Sequence, residues 1–314
     1  MFFGKKKEKV IDPIIHDEES NFTLSNGVHI LNKCENVTLT GNAIVLESFN
    51  CSFKEISGKA KLQMVEDGEV DVLTGKAKIG LFKSGKITTV SGKASITTIN
   101  TCHIGHVKGN SKIGTMNGGF IRFVDEKAEL ATITSGEVMF VRGKARIVTM
   151  ISGNITGIYN EAHLVSMLDG EIKYLLNDSR VGTMNNGFIK LFADNSEVST
   201  FNDGKIDEMV GKALISANMN GEIGLQEKQT IILYSPKESA KRMSEYMKEK
   251  TVEDVEQSLK QENENNENDQ NNEEKEVQPE QVEESKQEVV EETKPKKRTR
   301  AKQLKLDLDN TENN

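Results

Sequence analysis

Gly58-Lys59-Ala60-Lys61-Leu62, Gly75-Lys76-Ala77-Lys78-Ile79 and Gly92-Lys93-Ala94-Ser95-Ile96 are three versions of one phrase, spaced seventeen residues apart. Extended in both directions, the phrase becomes a unit of the form G-K-A-x-I-x-T-M-x-D/S/N-G-x-I-x-x-V-S. The unit recurs eleven times between Gly41 and Gln226 without an insertion or deletion. Numbered 1 to 17, its first column falls at Gly41, Gly58, Gly75, Gly92, Gly109, Glu126, Gly143, Asn160, Asn177, Asp194 and Gly211.

Reading down these columns defines the fold class. Column 5 is aliphatic throughout, from Val45, Leu62 and Ile79 to Val198 and Ile215, and column 13 is apolar from Phe53 to Ile223. Column 16 is apolar from Ile56 to Met209 and breaks only at Gln226, while column 3 is always Ala or Ser. A short fixed period with β-branched residues two apart is the pattern of a β-solenoid, each unit being one coil whose strands pair in parallel with the coils on either side. Helical repeats need about 33 residues or more per unit. The expectation is an all-β, single-stranded parallel β-solenoid (β-helix) of eleven or twelve coils over residues 22–234, preceded by a flexible segment, 1–21. At about 4.8 Å per coil it would extend roughly 55 Å.

Columns 10 and 11 read as the sharpest corner, with pairs such as Asp67-Gly68, Ser135-Gly136 and Asp203-Gly204. Glycine takes positive φ at no steric cost, and Asp or Asn hydrogen-bonds the local backbone. All three cysteines, Cys34, Cys51 and Cys102, stand in column 11. There they read as small corner residues, kept as thiols in a chain that shows no apolar signal segment behind MFFGKKKEK.

Chemistry-bearing patterns are few. His103 and His106 look like half a metal motif, but three residues of strand span about 10 Å, too far to share a zinc ion. No inserted loop builds a cleft and no acidic column runs through neighbouring coils, as a polysaccharide-cleaving β-helix would require. Trp is absent and aromatics are few, so no platform for sugars is evident. Column 7 carries hydroxyls at Thr98, Thr115, Thr132, Thr149, Ser166, Thr183 and Thr200. Beside a mixed column 6 these read as a hydrogen-bonded structural ladder. Catalysis, a metal, a cofactor and a small-molecule substrate are therefore not expected.

Columns 2 and 4 flank the small column 3, so alternation points both outward. They hold Lys59, Lys61, Lys76, Lys78, Lys93, Lys112, Lys127, Lys144 and Arg146, a basic stripe interrupted by Glu129, Glu161, Asp178 and Glu197. Like charges about 5 Å apart repel, and a polyanion such as nucleic acid would relieve them. The plainer reading is a solvated face that discourages sideways sheet pairing.

After a last strand at Thr230-Ile231-Ile232-Leu233-Tyr234, the run Ser235-Pro236-Lys237-Glu238 makes a capping box with Pro at the first helical position. A second start at Thr251 suggests an amphipathic helical cap over 235–260, covering the open last coil. Residues 261–293 hold thirteen acidic and two basic residues with no aromatics, so 261–314 reads as a disordered tail. With −11 in that segment and −8 overall, the rest of the chain is +3, and the tail is expected to screen the basic stripe in cis. Residues 294–302 turn basic through Lys294, Lys296, Lys297, Arg298 and Arg300, a non-specific phosphate binder by charge. The following Gln303-Leu304-Lys305-Leu306-Asp307-Leu308 resembles the Q-L-x-L-x-L peptide by which bacterial proteins dock on the replication sliding clamp. That resemblance marks Gln303, Leu304, Leu306 and Leu308 as clamp contacts.

At the other end, Phe2 and Phe3 precede Lys5, Lys6 and Lys7, a pairing suited to an anionic membrane surface when many copies act together. The Met1-Phe2-Phe3-Gly4-Lys5-Lys6-Lys7 start and Gly-rich coils such as Leu73-Thr74-Gly75-Lys76-Ala77-Lys78-Ile79 resemble the bactofilins, polymer-forming bacterial cytoskeletal proteins. The resemblance covers residues 1–10 and about 40–226. It implies a β-helix core, nucleotide-free end-to-end filaments and a membrane-facing N-terminus. The expected function is thus a cytoplasmic, non-enzymatic scaffold that self-associates, peripheral on the inner membrane face. The alternative is an interaction protein that binds nucleic acid or the sliding clamp through its basic stripe and tail.

Overall fold

A computed structural model describes residues 12–249, with side chains through Arg242. The chain winds as a parallel β-solenoid of about thirteen turns, followed by one helix, Pro236–Glu249. Two parallel ladders run its length. One begins at Ile14–Asp17 and ends at Ile231–Tyr234, and the other runs from Thr23–Leu24 to Glu222–Gln226. Two long strands, Lys78–Val90 and Ser95–Val107, cross the corner and take part in both.

From Ile44↔Lys61 to Leu214↔Ile231, paired residues lie seventeen apart. The opening turns are shorter. Partners are fifteen apart at Ile14↔His29 and sixteen apart at Val28↔Ile44, and the register then shifts between His29 and Ile30. The expected start at residue 22 is therefore too late: strand structure opens at Ile14, within the segment read as flexible, and adds a turn. A fixed seventeen-residue template cannot register these shorter turns.

Columns 3, 5, 13 and 16 point inward as expected, and column 8 joins them through Val65, Phe82, Ile99, Met116, Met150 and Phe201, all buried. From Lys112–Met116 to Leu214–Asn218 the five-residue strands bury their second and fifth residues, and in Lys112–Met116 the third and fourth are both half-exposed. The Cα pairing skips the third residue (Ile113↔Leu130, then Thr115↔Thr132), so the strand bends there and strict alternation fails. The bend turns column 7 outward. Its hydroxyls, Thr115 and Thr132 among them, make no side-chain hydrogen bond among the described residues, which corrects the expected hydrogen-bonded ladder.

The corners rest on two kinds of left-handed residue. Column 1 sits near φ +60°, with glycine (Gly58, +66°), asparagine (Asn160, +61°) and acids (Glu126, +60°) alike. Column 11 is harsher: Gly85 lies at φ +117°, and a Cβ built there would fall 2.0 Å from the Gly68 carbonyl oxygen. Where column 11 carries a side chain, at Cys34 and Cys51, the left-handed residue moves back one place to Lys33 (φ +49°) and Asn50 (φ +50°). This shift explains how cysteine occupies a glycine column in those two turns; Cys102 lies instead within the continuous strand Ser95–Val107, with no left-handed residue at that corner. All three thiols are free and buried. Burial pushes the Cys34 thiol up and carries Cys102 to about 11.

The core ends in polar groups. At the first turn His16 accepts the place of column 8, stacks on Phe22 (5.1 Å) and bridges Glu19 (2.8 Å) to His29 (3.1 Å), whose Nε2 donates to the Asn26 carbonyl (2.7 Å). At the far end Asn218, Thr230 and Ser235 take inward positions. The helix starts where the capping box places it: Ser235 accepts from Glu238 N at Oγ (3.5 Å) and from Ser239 N at its carbonyl (3.0 Å). The cap expected over 235–260 lies partly outside the described residues; on the outer face of the last turns Leu225, Ile231, Leu233 and Tyr234 are exposed. Lys237 Nζ reaches the Asn220 carbonyl at 3.4 Å. The second helical start, at Thr251, and the tail lie outside the described residues.

Three substitutions test the corner and the core. Gly85→Ala should cost at least about 2–3 kcal/mol in chemical denaturation, whereas Gly143→Asn, matching Asn160, should stay within about 1 kcal/mol. Ser179, in column 3, has a buried hydroxyl without a hydrogen-bond partner. Since that column is Ala in most coils, and Ser111 and Ser196 there do donate to carbonyls, Ser179→Ala should raise stability by about 1 kcal/mol in the same assay.

Candidate functional site

The basic stripe is real but not uniform. Lys59, Lys61, Lys76, Lys78, Lys93, Lys112, Lys127, Lys144 and Arg146 are all exposed. In the later coils acids in the same columns neutralise it: Lys112 pairs with Glu129 (3.1 Å), Lys144 with Glu161 (3.1 Å) and Arg180 with Glu197 (3.6 Å). In the earlier coils Lys61 lies directly over Lys78, and Lys59, Lys61, Lys76, Lys78 and Lys93 make no ion pair among the described residues. Residues 57–63, 74–80 and 91–97, which form this corner, contain no acid. The sequence marks nine residues as one stripe, and the fold divides them into five that make no ion pair among the described residues and four of which two, Lys112 and Lys144, are paired.

Further along column 4, His163 is stacked between Arg146 and Arg180. Partial burial, then the two guanidinium groups, hold its pKa below the ordinary 6.5, and Glu197 acts weakly the other way.

The opposite strand face carries a feature the column reading missed. His106 stacks on Phe123 (4.7 Å), Phe123 on Phe140 (5.6 Å), and Phe140 meets Tyr159 (5.9 Å). Tyr159 comes from a different column and lies where a side chain at Gly157 would stand, 2.3 Å from that residue's built Cβ. Arg142 caps the row, 4.3 Å from the Phe123 centroid and doubly bonded to Asp125 (2.8 and 3.0 Å). Burial, with Tyr174 nearby, pushes the Tyr159 hydroxyl up. Three of these rings recur at the seventeen-residue spacing, so the signal was present. Tyr159 breaks that spacing, and only Gly157 hints at it.

His103 and His106 are drawn to Phe120 and Phe123, and no group of three or more metal-ligating side chains is gathered among the described residues. No described helix is long and apolar enough to cross a membrane. The membrane candidates Phe2, Phe3, Lys5, Lys6 and Lys7, the basic run Lys294–Arg300 and the clamp candidates Gln303, Leu304, Leu306 and Leu308 lie outside the described residues, as does the screening proposed for the acidic tail.

His163 gives the corner a pH signature. Because folding depresses its pKa, the stability it contributes is complete above about 6.5 and is lost as pH falls through the lower folded value. Its ring should titrate below 6.5 by NMR, and His163→Gln should flatten the loss of melting temperature on acidification below that point. Compared with protein families, curated proteins and solved structures, the chain matches none.

Proposed function

We propose that the chain is a non-enzymatic, bactofilin-like scaffold subunit that assembles end to end. One observation carries this reading. The first and last strands belong to the same parallel ladder, and each leaves its outer edge unpaired among the described residues. Open edges with apolar side chains are templates for a further strand. At the first edge Ile14 and Ile15 are 56% and 69% exposed; at the last, Leu233 and Tyr234 are 67% and 52% exposed.

The registers are compatible. Ile232 and Tyr234 follow Ile215 and Ala217 in columns 5 and 7, the columns in which Ile14 and Ile15 precede His29 and Ile30. A second copy docked head to tail would set Ile14 over Ile232 and Ile15 over Tyr234, extending one ladder through the junction. The polar inward groups at both ends alter the expected driving force. Junction energy would come from the strand edge, from Ile14 over Ile232 in column 5 and from Ile15 over Tyr234 in column 7, with less from the other inward columns. Attachment to an anionic membrane surface through Phe2, Phe3 and the following lysines is the part of this proposal that rests on sequence alone.

Electron microscopy and sedimentation of the full chain test it. The wild type should form elongated particles, and Ile15→Asp or Tyr234→Asp should leave short ones with an unchanged β spectrum in circular dichroism. A wild type that stays monomeric at every concentration, or variants that elongate equally, would overturn the reading.

A further inference from the structure

Column 1 offers more than a turn. Its carbonyl is used by the ladder, accepting from the next coil, as Gly41 O does from Lys59 N at 2.7 Å. Its N–H has no ladder partner. In three coils a carboxylate from the following turn reaches back to take it: Glu126 Oε2 accepts from Gly109 N (3.1 Å), Asp194 Oδ2 from Asn177 N (3.0 Å) and Glu227 Oε2 from Gly211 N (3.0 Å). The fold therefore contains a repeated slot that accepts a carboxylate oxygen, filled in these places from within.

In the early coils the slot is unfilled by the protein, as it also is at Gly41, Glu126, Gly143, Asn160 and Asp194 among the described residues. Gly58, Gly75 and Gly92 are exposed, and their N–H groups make no hydrogen bond among the described residues. The residue above each is again glycine. A side chain there would crowd the donor: a Cβ built on Gly75 lies 3.0 Å from Gly58 N, and one on Gly92 lies 3.1 Å from Gly75 N. These slots coincide with the acid-free corner, so Lys59, Lys76 and Lys93 stand next to the donors in sequence, with Lys61 and Lys78 two residues further on. Outward backbone N–H groups beside ammonium groups make an anion site, and hydrogen bonds to a charged acceptor are the stronger kind.

Three features select the anion. The oxygens that fill the slot elsewhere belong to Glu and Asp. The corner has lysine but no arginine fork for bidentate phosphate. It also has no aromatic face for a base and no exposed large apolar side chain to enter a lipid surface. We propose that Gly58, Gly75 and Gly92 with Lys59, Lys76 and Lys93 bind an extended glutamate-rich peptide, of the composition that residues 261–293 spell out. Its carboxylates take the positions that Glu126, Asp194 and Glu227 take in the self-filled coils. The site is independent of end-to-end assembly.

The test copies the protein's own solution. Gly75→Glu repeats the Gly109–Glu126 arrangement three coils earlier and should fill the slot over Gly58. Gln63→Glu adds the same charge to the same face outside the slots. A labelled peptide of residues 261–293 is titrated onto the full chain by fluorescence anisotropy, with single-stranded DNA and phosphatidylserine vesicles as separate arms. Gly75→Glu should weaken peptide binding about tenfold and Gln63→Glu no more than about twofold. Equal losses from the two variants would overturn the slot, and tighter binding of DNA or vesicles than of peptide would overturn the ligand. If circular dichroism shows Gly75→Glu unfolded, the triple variant Lys59→Gln, Lys76→Gln, Lys93→Gln decides. Unchanged peptide affinity in it overturns the site, and a loss of about tenfold or more supports it.

Discussion

Parallel in-register pairing at a separation of seventeen is the constraint on which this molecule depends. It sets each residue about 4.8 Å from its counterparts in the coils above and below, so side chains meet their own column before anything else. Aliphatic columns accept that arrangement without cost, because like packs on like and the interior fills. Charged columns do not, and the chain resolves them by alternating sign along the axis. Glu66–Lys83, Lys112–Glu129, Asp125–Arg142, Lys144–Glu161 and Arg180–Glu197 are all ion pairs between residues one turn apart. Each is exposed enough to be worth little alone. Their effect is to let the same register hold without stacked like charge.

The same constraint governs backbone polar groups. Carbonyls and N–H groups around most of a turn are consumed by neighbouring turns, which leaves few donors for anything else. Column 1 is an exception because its left-handed conformation, needed to turn the corner, rotates one N–H out of the ladder. Left-handed geometry is thus a structural requirement that produces a binding donor as a by-product. The donor is closed where a Glu or Asp of the next turn reaches it, at Gly109, Asn177 and Gly211, and stays open under glycine and asparagine alike.

Much of this was legible in the sequence. The glycine-punctuated repeat gave the parallel solenoid, the inward columns 3, 5, 13 and 16, and the exposure of every lysine in the stripe. Ser235-Pro236 marked the helix start because capping is local chemistry. What escaped was whatever departs from a rigid seventeen-residue template. The first two turns are fifteen and sixteen residues long, so Ile14 and His29 fall out of column. The mid-strand bend was hidden because alternation assumes a flat pleat, and it moved the column 7 hydroxyls outward. The split of the basic stripe depends on which acids face which lysines across turns. Reading columns for sign as well as type would have found it. Tyr159 reached the aromatic row only because Gly157 vacated a place, a relation between two columns that neither displays.

It follows that information about function lies where the repetition fails. A column identical in every coil serves the fold, since any coil could be exchanged for another. Columns 1, 2 and 4 are different: their early coils are glycine and lysine without acids, and their later coils mix both signs, although the backbone is the same. Packing does not demand that asymmetry, because Gly58 at φ +66° and Glu126 at φ +60° occupy one conformation. Had solubility alone shaped the face, alternation along its whole length would have removed the repulsion between Lys61 and Lys78, as it does between turns further on. A run of unopposed cations over unfilled donors is therefore costly to the free protein, and a bound anion is the simplest thing that offsets it.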